Sequence, residues 1–587
     1  MPEIETPGAH HRQTTPEGIF IEWDVPIEMD DGLVLRADVY RPAGEGQYPV
    51  MMSHGPYGKG LPFQQAYKTS WEIMARNHPD VTAGSTNRFQ NWEVADPEKW
   101  VPEGYICIRV DSRGAGRSPG HMDLWSPRET QDFHQCIEWA GTQPWSNSKV
   151  GLNGISYYAI NQWQVASLQP PHLAAICVWE GFSDFYREAT HHGGIYTPFI
   201  ANWMPMQVKT VQHGLGENGP RDPNSGLLVC GDETLTPEEL AANRTDLGAQ
   251  FLEHHLLDEF YAERAPDFEK ITVPLLSTGN WGGQGLHLRG NIEGYLRAGS
   301  SRKWLELHGL EHWSHFYTDY GRRLQLRFFD HFLKGEDNGW QGQPRLQLNI
   351  RHVDSTFVVR HEQTWPLERT EWSRFYLDAG AGSMSTEVPQ EPTSISYDTT
   401  GDGATFTLGP FAEETEITGP VAAKLFVETT STDADLFLVV RVFSPEGEEV
   451  VFHGALDPHT PVAQGWLRAS HRKLDDKLSQ PYRPYHPHDE VAPLEPGAVH
   501  ELDIEIWPTC LVIPACYTLS LSVRGKDYVY PGEPGHLSNM PKPMTGVGPF
   551  VHNEPRDRNP AVFDGTVTVH TGGERQSYLL LPLIPSA

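Results

Sequence analysis

Up to about residue 345 the chain alternates strand-like and helix-like stretches, and nothing else in the sequence constrains the fold as strongly. Short apolar runs suited to buried strands occur at residues 48–53, 105–110, 149–153, 173–179, 273–278 and 303–307. Helical spacing appears between them: in residues 128–140, Phe133, Cys136, Ile137 and Ala140 share one face. Parallel neighbours need long crossovers, so the pattern predicts an α/β fold, a mostly parallel sheet with helices on both faces. Asp30-Asp31-Gly32, inside the alternating stretch 19–40, adds a hairpin signal at the start.

Two departures from the alternation divide the chain. Strand runs give out between residues 185 and 270, which reads as a helical cap insertion over the strand ends. Beyond residue 345, β-rich runs at 421–428, 435–443, 502–507 and 517–523 alternate with Pro- and Gly-rich turns, as in an all-β sandwich or jelly roll. The expected organisation is therefore an α/β unit in two parts, 1–184 and 271–345, a cap at 185–270 and a C-terminal jelly roll at 346–587. A length of 587 residues suits two or three domains, and 38% hydrophobic residues can fill their cores.

Gly154-Ile155-Ser156-Tyr157-Tyr158 falls between a strand run and a helical run. In that context a Gly-x-Ser turn reads as a nucleophile elbow, which pushes a serine oxygen out at the sheet edge. Tyr158 stands where the usual pattern has a second glycine. Ser156 is the expected nucleophile toward an ester or amide carbonyl. The developing oxyanion needs donors. The backbone N–H of Tyr157 opens the following helix, and the phenol of Tyr57 lies in the loop after the 48–53 strand.

These residues resemble those of the cocaine-esterase-like (CocE/NonD) hydrolases, relatives of the X-prolyl dipeptidyl peptidases. The matching segments are Gly55-Pro56-Tyr57, the turn at 111–118, Gly154 to Tyr157, the run Phe328-Phe329-Asp330-His331-Phe332-Leu333-Lys334-Gly335, and Ile506-Trp507-Pro508-Thr509. The resemblance spans nearly the whole chain. It implies an α/β-hydrolase domain, a helical cap and a C-terminal jelly roll of structural role, and it supports Tyr57 as an oxyanion donor.

The base and acid are less direct. His308, His312 and His315 follow the last strand run. An ungapped match to the family puts His312 on the base, and matching Trp313-Ser314-His315 instead would choose His315. His308, near the strand end, could be a buried structural histidine. The family's aspartate position holds Gly283, in Gly279-Asn280-Trp281-Gly282-Gly283-Gln284, so that turn offers no carboxylate. Glu180, or else Asp184, at the end of the preceding strand is the expected replacement. The alternative is a histidine working without a carboxylate, at a large cost in rate.

A net charge of −32 argues against nucleic acid or an anionic membrane as partner. No apolar run approaches membrane-spanning length, and Met1-Pro2-Glu3-Ile4-Glu5-Thr6-Pro7 lacks the features of a signal peptide, so a cytoplasmic location is expected. Six cysteines are too sparse for a disulfide framework; Cys107 and Cys177 read as buried thiols, and no pairing of Cys510 with Cys516 is counted on. His191-His192 reads as an incidental loop pair, and neither a metal nor a cofactor is expected. The expected partner is a small-molecule ester or amide, with a homo-oligomer left open.

Tyr158, Trp163, Phe182, Phe185, Tyr186, Tyr196, Phe199 and Trp203 could wall an apolar acyl pocket, or simply pack the cap. Asp184 and Glu188 could hold a substrate ammonium. The leading function is ester hydrolysis through an acyl-serine. The alternatives are an X-prolyl dipeptidyl aminopeptidase and a catalytically reduced binding or scaffold protein.

Overall fold

The computed structural model describes residues 5–540 and 542–585, so Met1 to Ile4 lie outside the described residues. Eleven strands form the first sheet. They are β1 (His11–Thr14), β2 (Ile19–Glu28), β3 (Val34–Pro42), β4 (Tyr48–Gly55), β5 (Ile106–Asp111), β6 (Ser146–Ile155), β7 (Leu173–Trp179), β8 (Leu275–Asn280), β9 (Lys303–His308), β10 (Leu346–Arg351) and β11 (Phe357–Glu362). Their order is β1-β2-β3-β5-β4-β6-β7-β8-β9-β10-β11. From β5 through β10 every neighbouring pair is parallel. The order reverses at β4–β5, and the crevice at the carboxyl ends of such strands is where an open α/β sheet binds ligands.

Strand alternation fills both faces. Ile106, Ile108, Ile176 and Val178 pack toward Phe133 and Ile137 of α1 (Pro127–Gly141) and Trp163 of α2 (Tyr157–Ser167). Cys107, Cys177 and Trp179 point to the other face, among Leu324 and Phe328 of the helix Asp319–Phe329. All six cysteines are free.

The unit does not end at residue 345. β10 hydrogen-bonds to β9 and carries β11 at the sheet edge, so both belong to the hydrolase sheet. Hydrogen bonding into that sheet, which β-rich composition does not reveal, sets them apart from the strands of the C-terminal domain. That domain is all-β and barrel-like: eleven of its twelve strands form one path from Thr393–Asp398 to Tyr578–Ile584, and Glu449–Val450 pairs off it with Asp435–Phe443. Its long strand Thr415–Thr429 pairs with Val499–Ile513 on one side and with Tyr578–Ile584 on the other. Among the described residues no helix is long and apolar enough to cross a membrane.

The roof over the strand ends has three sources. Residues 185–270 supply short helices, turns and one two-stranded hairpin. Residues 57–104, between β4 and β5, add further short helices, and loops of the β domain complete it. His191 and His192 are not an incidental loop pair. They are buried in a two-stranded hairpin with Ile195–Tyr196, where His192 Nδ1 meets His552 Nε2 at 2.9 Å.

Candidate active site

Ser156 joins β6 to α2 with φ 55° and ψ −113°, a backbone conformation costly for any residue with a side chain. Its neighbours explain why the turn closes. A Cβ on Gly154 would meet Tyr158 Cβ at 2.4 Å, so only glycine fits there. The second glycine of the usual motif is not needed, because Gly55 makes room for the Tyr158 ring and Gly181 lets Ala159 approach. Ser156 N–H donates to the Trp179 carbonyl, and Ile155 N–H to that of Glu93. Tyr157 begins α2, so its N–H has no intrahelical acceptor and sits at the positive end of the helix dipole.

A carboxylate reaches His312 from the end of β7. Glu180 follows that strand with φ 46°, and one carboxylate oxygen lies 2.7 Å from His312 Nδ1. The other oxygen faces His308 Nε2 at 3.1 Å and accepts from Asn280 Nδ2 at 3.2 Å. Burial alone would push this carboxyl up. The two histidines beside it outweigh burial and bring it to about 2. His308 is the buried member, bridging Glu306 and Glu180, and those carboxylates lift it to about 9 against burial. His315 packs against His308 and is held well below its ordinary value by burial and that neighbour.

His312 has a second acid partner that sequence reasoning did not find. Its Nε2 lies 3.1 Å from Glu93, a buried residue with φ 62°. Burial disfavours the imidazolium, but Glu180 and Glu93 together hold it to about 10. Burial in turn pushes the Glu93 carboxyl up to about 7 despite the pull of His312. Three non-glycine residues with left-handed backbone, Glu93, Ser156 and Glu180, thus converge here.

The side chain bonded to Ser156 is not His312. Ser156 Oγ lies 3.1 Å from His287 Nε2, and no other hydrogen bond to Oγ is formed among the described residues. His287 follows the turn in which the family aspartate was sought, four residues past Gly283. That position was the available signal, but no motif marks it.

Tyr57 is buried and packs edge-on to Tyr157, Tyr158 and Trp203. Burial drives its phenol well above its ordinary value, so it stays a donor. The Tyr157 phenol is committed to Glu129, to which it donates at 2.6–2.7 Å.

Tyr57, Glu93, Ser156, His287 and His312 line one cavity of about 320 Å³. Of the aromatic residues expected in its wall, Phe199 and Trp203 are present. Tyr158, Trp163, Phe182, Phe185, Tyr186 and Tyr196 pack elsewhere in the core, and Tyr67, Trp92, Trp313 and Phe550 take their place. Asp184 and Glu188 do not reach the cavity. They neutralise the buried guanidiniums of Arg187 (2.6 Å) and Arg289 (2.8 Å), which leaves neither for a substrate ammonium. The β domain contributes Ala455, Leu456, Ser538, Asn539, Met540 and Phe550 to the wall, and the Ala455 carbonyl accepts from His312 N–H. Its role extends beyond structural support.

Comparison with known proteins bears on the family and the fold. Residues 31–317 match the family model "X-Pro dipeptidyl-peptidase (S15 family)", and residues 338–580 match its C-terminal non-catalytic domain. A cocaine esterase from Rhodococcus sp. (strain MB1 Bresler) is 23% identical, over 96% of this chain and 98% of the esterase. The crystal structure of a CocE/NonD family hydrolase from Staphylococcus aureus is 31% identical, with a TM-score of 0.81, over 96% of this chain and 94% of that one. An α-amino acid ester hydrolase structure shares the fold at 15% identity and a TM-score of 0.67, over 99% of both chains.

Proposed function

We propose, for a chain that belongs to the CocE/NonD family of hydrolases, that it cleaves carboxylic esters with apolar acyl groups through an acyl-Ser156 intermediate. The observation that carries this reading is the shared cavity: Ser156 on its elbow opens into the space that His312, backed by Glu180 at 2.7 Å, also lines.

Ser156 Oγ attacks the carbonyl carbon as its proton passes to His312 Nε2, and Glu180 stabilises the imidazolium from Nδ1. The oxyanion accepts from the Tyr57 phenol and the Tyr157 N–H. His312 returns the proton to the departing alkoxide, leaving the acyl-enzyme. Water then attacks along the same path, with His312 again as base, and the acid leaves. Before the first step His312 Nε2 must be free of its proton, and Glu93, with a carboxyl near 7, is the acceptor beside it.

The apolar wall of Phe199, Trp203, Leu286, Trp313 and Phe550 favours acyl groups that are themselves apolar. Release of Xaa-Pro dipeptides would need a carboxylate for a free amine. Asp184 and Glu188 are committed to arginines, and Glu93 is held by His312.

A fluorophosphonate probe tests the proposal. The expected adduct maps by mass spectrometry to the Ser156 peptide and is lost in Ser156→Ala. Folded wild-type protein that takes no adduct would favour the binding or scaffold alternative. Turnover of Xaa-Pro-p-nitroanilides in preference to p-nitrophenyl esters of rising acyl length would favour the peptidase.

A further inference from the structure

We infer that His287 is a neutral hydrogen-bond donor to Ser156 Oγ, locked in its Nε2–H form by the Phe182 backbone, and that it is not the base. The inference rests on the acyl-Ser156 reading and assigns a further catalytic residue within it.

The argument begins at the far edge of the ring. Phe182 N–H points at His287 Nδ1 over 3.1 Å. A backbone N–H only donates, so Nδ1 presents a lone pair. A neutral imidazole then carries its proton on Nε2, the nitrogen 3.1 Å from Ser156 Oγ. The bond therefore runs from Nε2–H to the serine oxygen. Nε2 has no lone pair with which to take the serine proton. Giving it one means moving its proton to Nδ1, where it would face the Phe182 N–H.

The two faces of the ring strengthen the lock. Phe182 stacks on His287 at 5.9 Å and 12°, and His312 stacks on it at 5.2 Å and 11°. The ring therefore has aromatic contacts that resist a flip. Protonating it would place a second positive charge face to face with the His312 imidazolium. Burial and that charge both hold His287 well below its ordinary value.

The donor does two things. It occupies one lone pair of Oγ, which fixes the serine rotamer and turns the serine's own O–H toward the rest of the cavity, where His312 lies. When the acyl-enzyme breaks down, the Oγ–acyl carbon bond cleaves and Oγ recovers its electron pair. The Nε2–H then stabilises that oxygen until His312 delivers the proton. His287 keeps its own proton throughout.

The test compares His287→Gln, whose amide can still donate, with His287→Leu, which cannot. It reads kcat, KM and pH profiles on a p-nitrophenyl ester. His287→Gln is expected within about tenfold of wild type, and His287→Leu to lose about 10²- to 10³-fold in kcat at unchanged KM, the usual effect of one lost donor. Both keep the wild-type acid limb. In ¹⁵N-histidine-labelled protein, His287 Nδ1 is expected to stay unprotonated from pH 5 to 9. A dead His287→Gln that is folded by circular dichroism, loss of the acid limb in either variant, wild-type kcat in His287→Leu, or a protonated Nδ1 would each overturn the assignment. Wild-type protein that fails to label at Ser156 would instead overturn the acyl-serine reading, and the nitrogen spectrum separates the two failures.

Discussion

His287 and His312 lie face to face in one cavity, yet their electrostatics are opposite because their edges meet opposite partners. His312 carries a carboxylate at each nitrogen, Glu180 at 2.7 Å and Glu93 at 3.1 Å, and is held charged. His287 has a hydroxyl at one nitrogen and a backbone donor at the other, and is held neutral. The imidazole nearest the nucleophile is thus the one whose lone pair faces away from it. The proposed choice of base therefore rests on what lies on the far side of each ring and not on proximity to serine.

The largest expected effects fall on the charged histidine. His312→Ala and Glu180→Gln should each lower kcat by about 10⁴-fold, as removal of a serine-hydrolase base or its orienting carboxylate does. A Glu180→Gln enzyme within tenfold of wild type on p-nitrophenyl esters would remove the acid from the account. Next comes Tyr57→Phe, which deletes one oxyanion donor and should cost about 10²-fold in kcat with little change in KM.

The pH dependence sharpens the comparison further. His312 loses its blocking proton as pH rises, so kcat/KM should climb through an acid limb between about 7 and 10. Glu93→Gln removes one charge that supports the imidazolium. The limb should then move to lower pH by about 1 to 3 units, the usual effect of a nearby opposite charge. A limb that stays in place or moves up in a stopped-flow pH profile would break the link between Glu93 and His312.

The smallest effect is on stability. Glu180 is depressed to about 2, so its stabilisation is present above its ordinary value near 4.5 and fades as pH falls toward 2. His308 and His312 are raised, so theirs is complete below about 6.5 and lost as pH rises through about 9 to 10. Glu180→Gln should therefore flatten the fall in Tm between pH 7 and 10. Parallel wild-type and variant curves would contradict this.

The fold was legible because its cause is local. The nearly continuous buried runs of β5 and β7 and the helical face of α1 are written in the order of apolar residues. The elbow was legible for the same reason, since strand, Gly154, Ser156 and helix are contiguous. Glu180 was accessible through chain order, once Gly283 had excluded the usual position. Glu93 and His287 were not. Glu93 lies in the segment between β4 and β5, and only its left-handed turn beneath β6 brings it to His312. His287 acquires its character from Phe182, 105 residues earlier in the chain. The share of the β domain in the cavity escaped too. Ala455 and Phe550 reach the site through long-range docking, which no sequence pattern encodes. That β10 and β11 join the first sheet was not legible either, because β-rich composition does not say which sheet a strand joins.

The central claim, that His312 backed by Glu180 draws the proton from Ser156, is tested most directly by the pre-steady-state burst of p-nitrophenol. Wild-type enzyme should show a burst whose rate rises with pH, and His312→Ala should show none. A near-wild-type burst in His312→Ala, with the acyl group found on Ser156, would contradict the claim.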